Sequence, residues 1–110
     1  MPESDKPLVW LHGDIKTPPL TLTARLEAWI LLRRLQRGGS LSMPLSRPMP
    51  SIGPRCHELR VRDHDHSWRV LYRVDPDAIV LLDVFAKKTR ATPKPQIQSA
   101  KERLRRYDSI

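Results

Sequence analysis

Two alternating apolar and polar stretches and a third that is apolar on both faces, joined by turns too short for anything but chain reversal, most constrain how this chain can fold. Cys56 to Arg62 places His57, Leu59 and Val61 on one side of an extended strand and Glu58, Arg60 and Arg62 on the other. Asp63-His64-Asp65-His66-Ser67 turns the chain. Trp68 to Val74 alternates again, with Trp68, Val70, Tyr72 and Val74 facing one way and Arg69, Leu71 and Arg73 the other. Asp75-Pro76-Asp77 makes a second tight turn, and Ala78 to Ala86 is apolar on both faces, the mark of a strand inside a sheet. Such short connections require antiparallel pairing.

The flanks add a strand and two helices. Leu8-Val9-Trp10-Leu11 reads as a first strand stopped by Gly13. Thr17-Pro18-Pro19 delays helix until Thr21 or Thr23, either of which can cap it. The helix then runs to Arg37, buries Ala24, Ala28, Leu31, Leu32 and Leu35 on one face, and stops at Gly38-Gly39. Leu22, Leu26 and Trp29 form a second apolar stripe turned away from the first. It either packs under a neighbouring segment or serves as a partner's docking surface. Ser40 to Pro54 holds four prolines without periodicity and reads as a long loop. Thr92-Pro93 opens a last helix, with Thr92 as cap, Pro93 at its first position, and Ile97, Ala100, Leu104 and Tyr107 as its buried stripe. The expected fold is α+β: one domain over residues 1–110, with a small antiparallel sheet of about four strands and helices packed on one face.

A chain of 110 residues can bury one modest core, and 39% hydrophobic with 29% charged residues suits a folded rather than a disordered chain. No apolar run approaches the roughly 20 residues of a membrane span. Met1-Pro2-Glu3-Ser4-Asp5 has neither the basic nor the apolar region of a signal peptide, so a cytoplasmic location without membrane contact is expected. Cys56 is the single cysteine, which rules out an internal disulfide and any Cys-rich zinc pattern. His64 and His66 with Asp63 and Asp65 resemble a metal cluster superficially, but within a hairpin turn they read as a solvated loop. No metal or cofactor is expected. The net charge of +8, with arginine outnumbering lysine, favours a polyanionic partner: RNA, DNA or an acidic protein segment.

Two segments place cations on rigid scaffolding. Arg60 and Arg69, on adjacent strands, can share a sheet face within reach of one phosphate. Phe85-Ala86-Lys87-Lys88-Thr89 runs from a strand into a loop, and Arg90 follows just before a helix N-terminus, a second phosphate-binding corner. Arg55, Arg62, Arg73 and Arg90 are further candidates for RNA contact.

Cys56-His57-Glu58-Leu59-Arg60, Trp68-Arg69-Val70-Leu71-Tyr72 and Val80 through Thr89, followed by Thr92-Pro93, Ile97 and Ala100, resemble in order and spacing the phage-derived Gp49-like/HigB-like branch of the RelE/ParE toxin superfamily. The resemblance covers about residues 54 to 107, and Ser46-Arg47-Pro48-Met49-Pro50 resembles the loop that precedes it in that family. Asp83, Ala86 and Gln96 depart from its pattern. The resemblance implies the RelE/ParE fold and the toxin of a type II toxin–antitoxin system. Its implied activity is a metal-independent endoribonuclease that cuts messenger RNA on the ribosome by attack of the ribose 2′-OH. Arg69 matches the family's phosphate-stabilising arginine, Lys87 and Lys88 its second cationic position, and Arg60 a basic residue on the preceding strand. The base is either His57 or Glu58, since their alternation puts them on opposite faces. The implied partner is a HigA-like helix-turn-helix antitoxin in a heteromeric complex, with Leu22, Leu26 and Trp29 as the candidate docking residues. The alternatives are a non-enzymatic gyrase inhibitor on the same scaffold, in the manner of ParE, and a plain nucleic-acid-binding accessory protein.

Overall fold

In the computed structural model, which describes residues 5–64, 66–87 and 90–110, these three stretches form the centre of a five-stranded sheet. They are β3 (Cys56–Asp63), β4 (His66–Val74) and β5 (Ile79–Lys87), flanked by β1 (Leu8–Trp10) and β2 (Ser46–Pro48) at the edges. The two helices are α1 (Leu22–Gln36) and α2 (Lys94–Asp108). Strand order is β1-β5-β4-β3-β2. The pairings β2–β3, β3–β4 and β4–β5 are antiparallel, as the short turns require.

The structure corrects the expected architecture in three respects. The sheet has five strands and is mixed, because β1 runs parallel to β5, with Leu8 opposite Ile79. The extra strand, β2, lies inside the proline-rich stretch read as loop; Pro48, which can donate no ladder bond, ends it at the sheet edge. The helices also cover opposite faces. Ala24, Ala28, Leu31, Leu32 and Leu35 of α1 pack with Leu59, Val61, Val70, Tyr72 and Leu81. Ala100 and Leu104 of α2 pack with Leu71, Val80, Leu82 and Cys56 on the other side. Covering on both faces is why β5 is apolar all round.

The β3 face turned towards α2 carries Glu58, Arg60 and Arg62, and Arg60 sits directly opposite Arg69. Between β4 and β5 the register steps from Leu71↔Asp83 to Tyr72↔Leu81, leaving Leu82 as an extra residue. The step preserves alternation on either side of it, so Lys87, paired with Ser67, shares the Arg69 face.

Both helix starts show what fixes the chain locally. Thr21 caps α1 by accepting from the Ala24 N–H at 3.2 Å, and Gly38, at φ 89, provides the left-handed exit. The Asp63 carboxylate accepts from the Thr21 N–H at 3.0 Å, the Thr21 hydroxyl at 2.9 Å, the His64 N–H at 2.9 Å and Trp68 Nε1–H at 3.3 Å. Those bonds, led by the Thr21 N–H, hold its pKa below the usual carboxylate value. Asp63 thus joins the hairpin to the helix start. The metal-like residues around it form no metal-binding group among the described residues, which omit Asp65. At α2, Thr92 makes no side-chain cap bond; Pro93 occupies the cap position, and Thr92 is committed elsewhere.

Candidate phosphate-binding site

One buried carboxylate organises the charged part of the sheet. Glu58 has no exposed surface. Its Oε1 lies 3.2 Å from Arg47 Nε, 3.3 Å from Arg69 Nε, 3.7 Å from Lys87 Nζ and 4.0 Å from Arg60 Nε. Its Oε2 accepts a short hydrogen bond from the Thr92 hydroxyl, and Arg47 Nη2 donates to the same hydroxyl at 3.4 Å. Arg47 comes from β2, Glu58 and Arg60 from β3, Arg69 from β4 and Lys87 from β5, so four adjacent strands fix one cluster.

The charges do not balance: four cations gather on one carboxylate. The contacts are ion pairs rather than aligned hydrogen bonds, and Arg47 Nε, Arg69 Nε, Lys87 Nζ and Glu58 Oε1 are buried without a hydrogen-bond partner. Buried donors in such number are costly unless an anion's oxygens satisfy them. Burial, aided by the neighbouring guanidiniums, holds the Lys87 ammonium below the usual lysine pKa, while Glu58 opposes the shift. Burial likewise lowers Arg69, again opposed by Glu58. Lys87 and Arg69 form the inner part of the cluster, whereas the side chains of Arg47 and Arg60 keep 35% and 28% of their surface exposed and face incoming solute.

Beside the cluster is a cleft of about 320 Å³ lined by Arg60, Arg62, Ser67 and Arg69, with Glu27, Pro44 and Leu45 across from them. Arg69 Nη1 donates a short hydrogen bond to the Ser67 hydroxyl, which fixes the guanidinium at the cleft wall. A phosphodiester entering there would meet guanidinium donors on two strands.

The structure therefore brings together Arg60, Arg69, Lys87 and Glu58, with Arg62 at the cleft. Lys88 lies outside the described residues. His57 is on the opposite face, stacked on Tyr72 at 5.3 Å between ring centroids, and burial lowers its pKa. It is removed from the cluster. Arg73 is also elsewhere: its guanidinium is bidentate to Asp75 (2.7 and 2.9 Å) and to Asp108 (2.9 and 2.7 Å), and it lies 5.9 Å from the Tyr107 ring centroid. Arg55 joins that end of β4 by donating to the Val74 carbonyl at 3.2 Å. Both tie the C-terminal helix and the β4 end to the fold. Arg90 is exposed. Leu22, Leu26 and Trp29 are uncovered on α1, at 54%, 51% and 37% exposure.

Sequence reasoning missed Arg47 and Thr92. Arg47 sits within the Ser46-Arg47-Pro48 loop motif, and Thr92 within the Thr-Pro pair, so both signals were present without their roles.

The sequence profile of the family described as phage-derived protein Gp49-like (DUF891) matches residues 20–105. The chain belongs to this family. The Gp49-like match spans α1 through most of α2 and so contains every member of the Glu58 cluster. No curated protein matches the chain.

Proposed function

We propose that this Gp49-like protein is the toxin of a type II toxin–antitoxin pair, an endoribonuclease that cuts messenger RNA on the ribosome. The observation that carries the reading is the set of four cations from four adjacent strands around one buried carboxylate. In the step envisaged, the ribose 2′-oxygen attacks the adjacent phosphorus, the bond from phosphorus to the 5′-oxygen breaks, and a 2′,3′-cyclic phosphate and a 5′-hydroxyl result. Negative charge builds on the non-bridging oxygens, and preorganised cations stabilise it where water would have to reorient.

Arg47 and Arg60 receive the phosphate from the solvent side, and Arg69 binds it in the transition state. Glu58 is a positioning residue: enclosed by Thr92 and four cations, it holds the donors in place. The proton of the 2′-OH is taken by the amine form of Lys87, which burial makes easier to reach by holding its pKa below the usual lysine value, and the resulting ammonium returns that proton to the leaving 5′-oxygen. His57, on the far face, takes no part. The reading also entails a cognate antitoxin, which a HigA-like helix-turn-helix protein would supply.

The test is transcript cleavage mapped on translating ribosomes after induction, wild type beside Arg69→Ala. The variant is expected to keep its fold and lose cleavage by roughly 10²–10³-fold, the effect of deleting one preorganised donor. Growth arrest and cleavage unchanged in Arg69→Ala would overturn the proposal, as would inhibition of gyrase supercoiling with transcripts left intact.

A further inference from the structure

Helix α1 is apolar on two sides. Its inner face is buried, yet Leu22, Leu26, Trp29 and Ile30 stand on the outer face at 54%, 51%, 37% and 65% exposure. Positions 22, 26, 29 and 30 recur at helical spacing, so they form one continuous stripe pointing away from the sheet. Trp29 is braced edge-on by Trp10 of β1, with ring centroids 6.0 Å apart. The stripe borders a shallow depression of about 750 Å³ on the outer surface of α1 and its exit turn, lined in part by Leu26, Trp29, Ile30, Arg34, Arg37 and Gly39. Arg33, also at its rim, is paired with Asp5 at 2.6 Å, whereas Arg34 and Arg37 have no carboxylate partner among the described residues.

An apolar groove with a cationic rim selects its occupant by charge. A second copy of this chain would bring another +8 and set arginine against arginine. An anionic membrane would match the charge as well, and vesicles are therefore the competing arm of the test below. We infer that the outer face of α1 is the docking groove for an acidic amphipathic helix of a partner protein. Its apolar side lies along Leu26, Trp29 and Ile30, and its carboxylates meet Arg34 and Arg37. Under the reading above this helix belongs to the antitoxin, and the inference rests on that reading only for the partner's biological role. None of the groove residues belongs to the Glu58 cluster.

The probe is a fluorescein-labelled helical peptide of about 18 residues, five turns, with leucine at i, i+3, i+4 and i+7 and glutamate flanking the apolar side. Its binding is read by fluorescence anisotropy against the full chain. The acidic peptide is expected to bind, and a lysine-for-glutamate version is not. Ile30→Glu, at a position too exposed to disturb the core, should weaken binding by at least about tenfold. Arg34→Glu with Arg37→Glu should do the same, and Arg69→Ala should bind as wild type while failing to cleave RNA. Circular dichroism confirms that each variant is folded. Absence of peptide binding, or equal binding by Ile30→Glu, would overturn the inference. So would Ile30-dependent self-association in sedimentation, or Ile30-dependent capture by phosphatidylserine vesicles in preference to the peptide. A Gp49-like protein that binds the peptide but never cuts RNA would leave the groove standing and remove the ribonuclease reading.

Discussion

Glu58→Gln keeps the shape of the side chain and removes its charge, which makes it the sharpest probe of the cluster. In the native protein four cations lie 3.2 to 4.0 Å from one oxygen. At an effective dielectric of about 20, each such pair attracts by roughly 4–5 kcal/mol, offset in part by repulsion among the cations. Neutralising the carboxylate removes every attraction and leaves the repulsion. Arg47 and Arg60 can relieve some of it by swinging into solvent, since both are partly exposed; Lys87, with 1% of its side chain exposed, cannot. The expected net cost is that of breaking a buried pair, about 3–5 kcal/mol. In urea, with a slope of about 2 kcal/mol/M, the unfolding midpoint falls by roughly 1.5–2.5 M with the slope unchanged. Thr92→Val supplies the control: it removes the hydroxyl's hydrogen bonds to Glu58 and from Arg47 but no charge, so it should cost roughly 1.5–3 kcal/mol. Inorganic phosphate should raise the midpoint of Glu58→Gln more than that of wild type, because an added anion restores what the substitution took away. A Glu58→Gln midpoint no lower than that of Thr92→Val would refute the account, since charge would then contribute nothing beyond the hydrogen bond.

Two further outcomes follow from the lowered pKa values. Lys87→Arg keeps the positive charge and removes the proton acceptor; the rise of cleavage rate with pH through the depressed lysine ionisation, expected for wild type, should vanish, and its persistence in pH–rate profiles would exclude Lys87 as base. Asp63→Asn turns one acceptor oxygen into a donor facing bonds from Thr21 or Trp68, and should lower Tm by several degrees. Asp63 is depressed in the folded state, so its contribution is present above the unfolded carboxylate value near 3.9 and lost as pH falls through the folded one. The Tm gap between Asp63→Asn and wild type should therefore close under acid, and a pH-independent gap would contradict this linkage.

The sheet centre was legible because period-two alternation states directly which side chains share a face. Arg60 and Arg69 came together on that rule alone, and their register confirms the pairing. The buried face of α1 was legible for the same kind of reason, at helical period. Alternation does not say what covers a face, and here the reading failed. β5 is apolar on both sides because α1 and α2 lie on opposite faces, a signal present in the sequence but set aside when both helices were placed together. Strand β2 is three residues long, shorter than one cycle of any useful pattern, so Arg47 was hidden inside a proline-rich stretch. Thr92 was lost to a competing local role: a threonine before a proline at a helix start fits a cap, and only tertiary contact with Glu58 reveals the alternative. Arg73 looked like its neighbours along the strand because charge pattern does not disclose a partner 35 residues away at Asp108.

The α2-facing side of the sheet is divided along β4. Towards Arg73 it is apolar and covered, with Leu71, Val80 and Leu82 beneath Ala100 and Leu104. Towards Ser67 it carries Arg69 opposite Arg60, with Lys87 beside them. The opposite face has no such division; α1 packs along Leu59, Val61, Trp68, Val70 and Tyr72. A fold that only needed stability would extend the apolar cover across both halves, since replacing buried ions by packed hydrophobic side chains is often neutral or favourable. Here four cations are instead retained on one carboxylate, with Arg47 Nε, Arg69 Nε and Lys87 Nζ buried and lacking a hydrogen-bond partner. Local violation of packing rules with rigid support from four strands is the pattern expected where binding, not stability, sets the residue choice. It follows that replacing Glu58, Arg69 and Lys87 together by leucines should raise stability in urea unfolding while abolishing RNA cleavage, and that the opposite-face core should show no such trade.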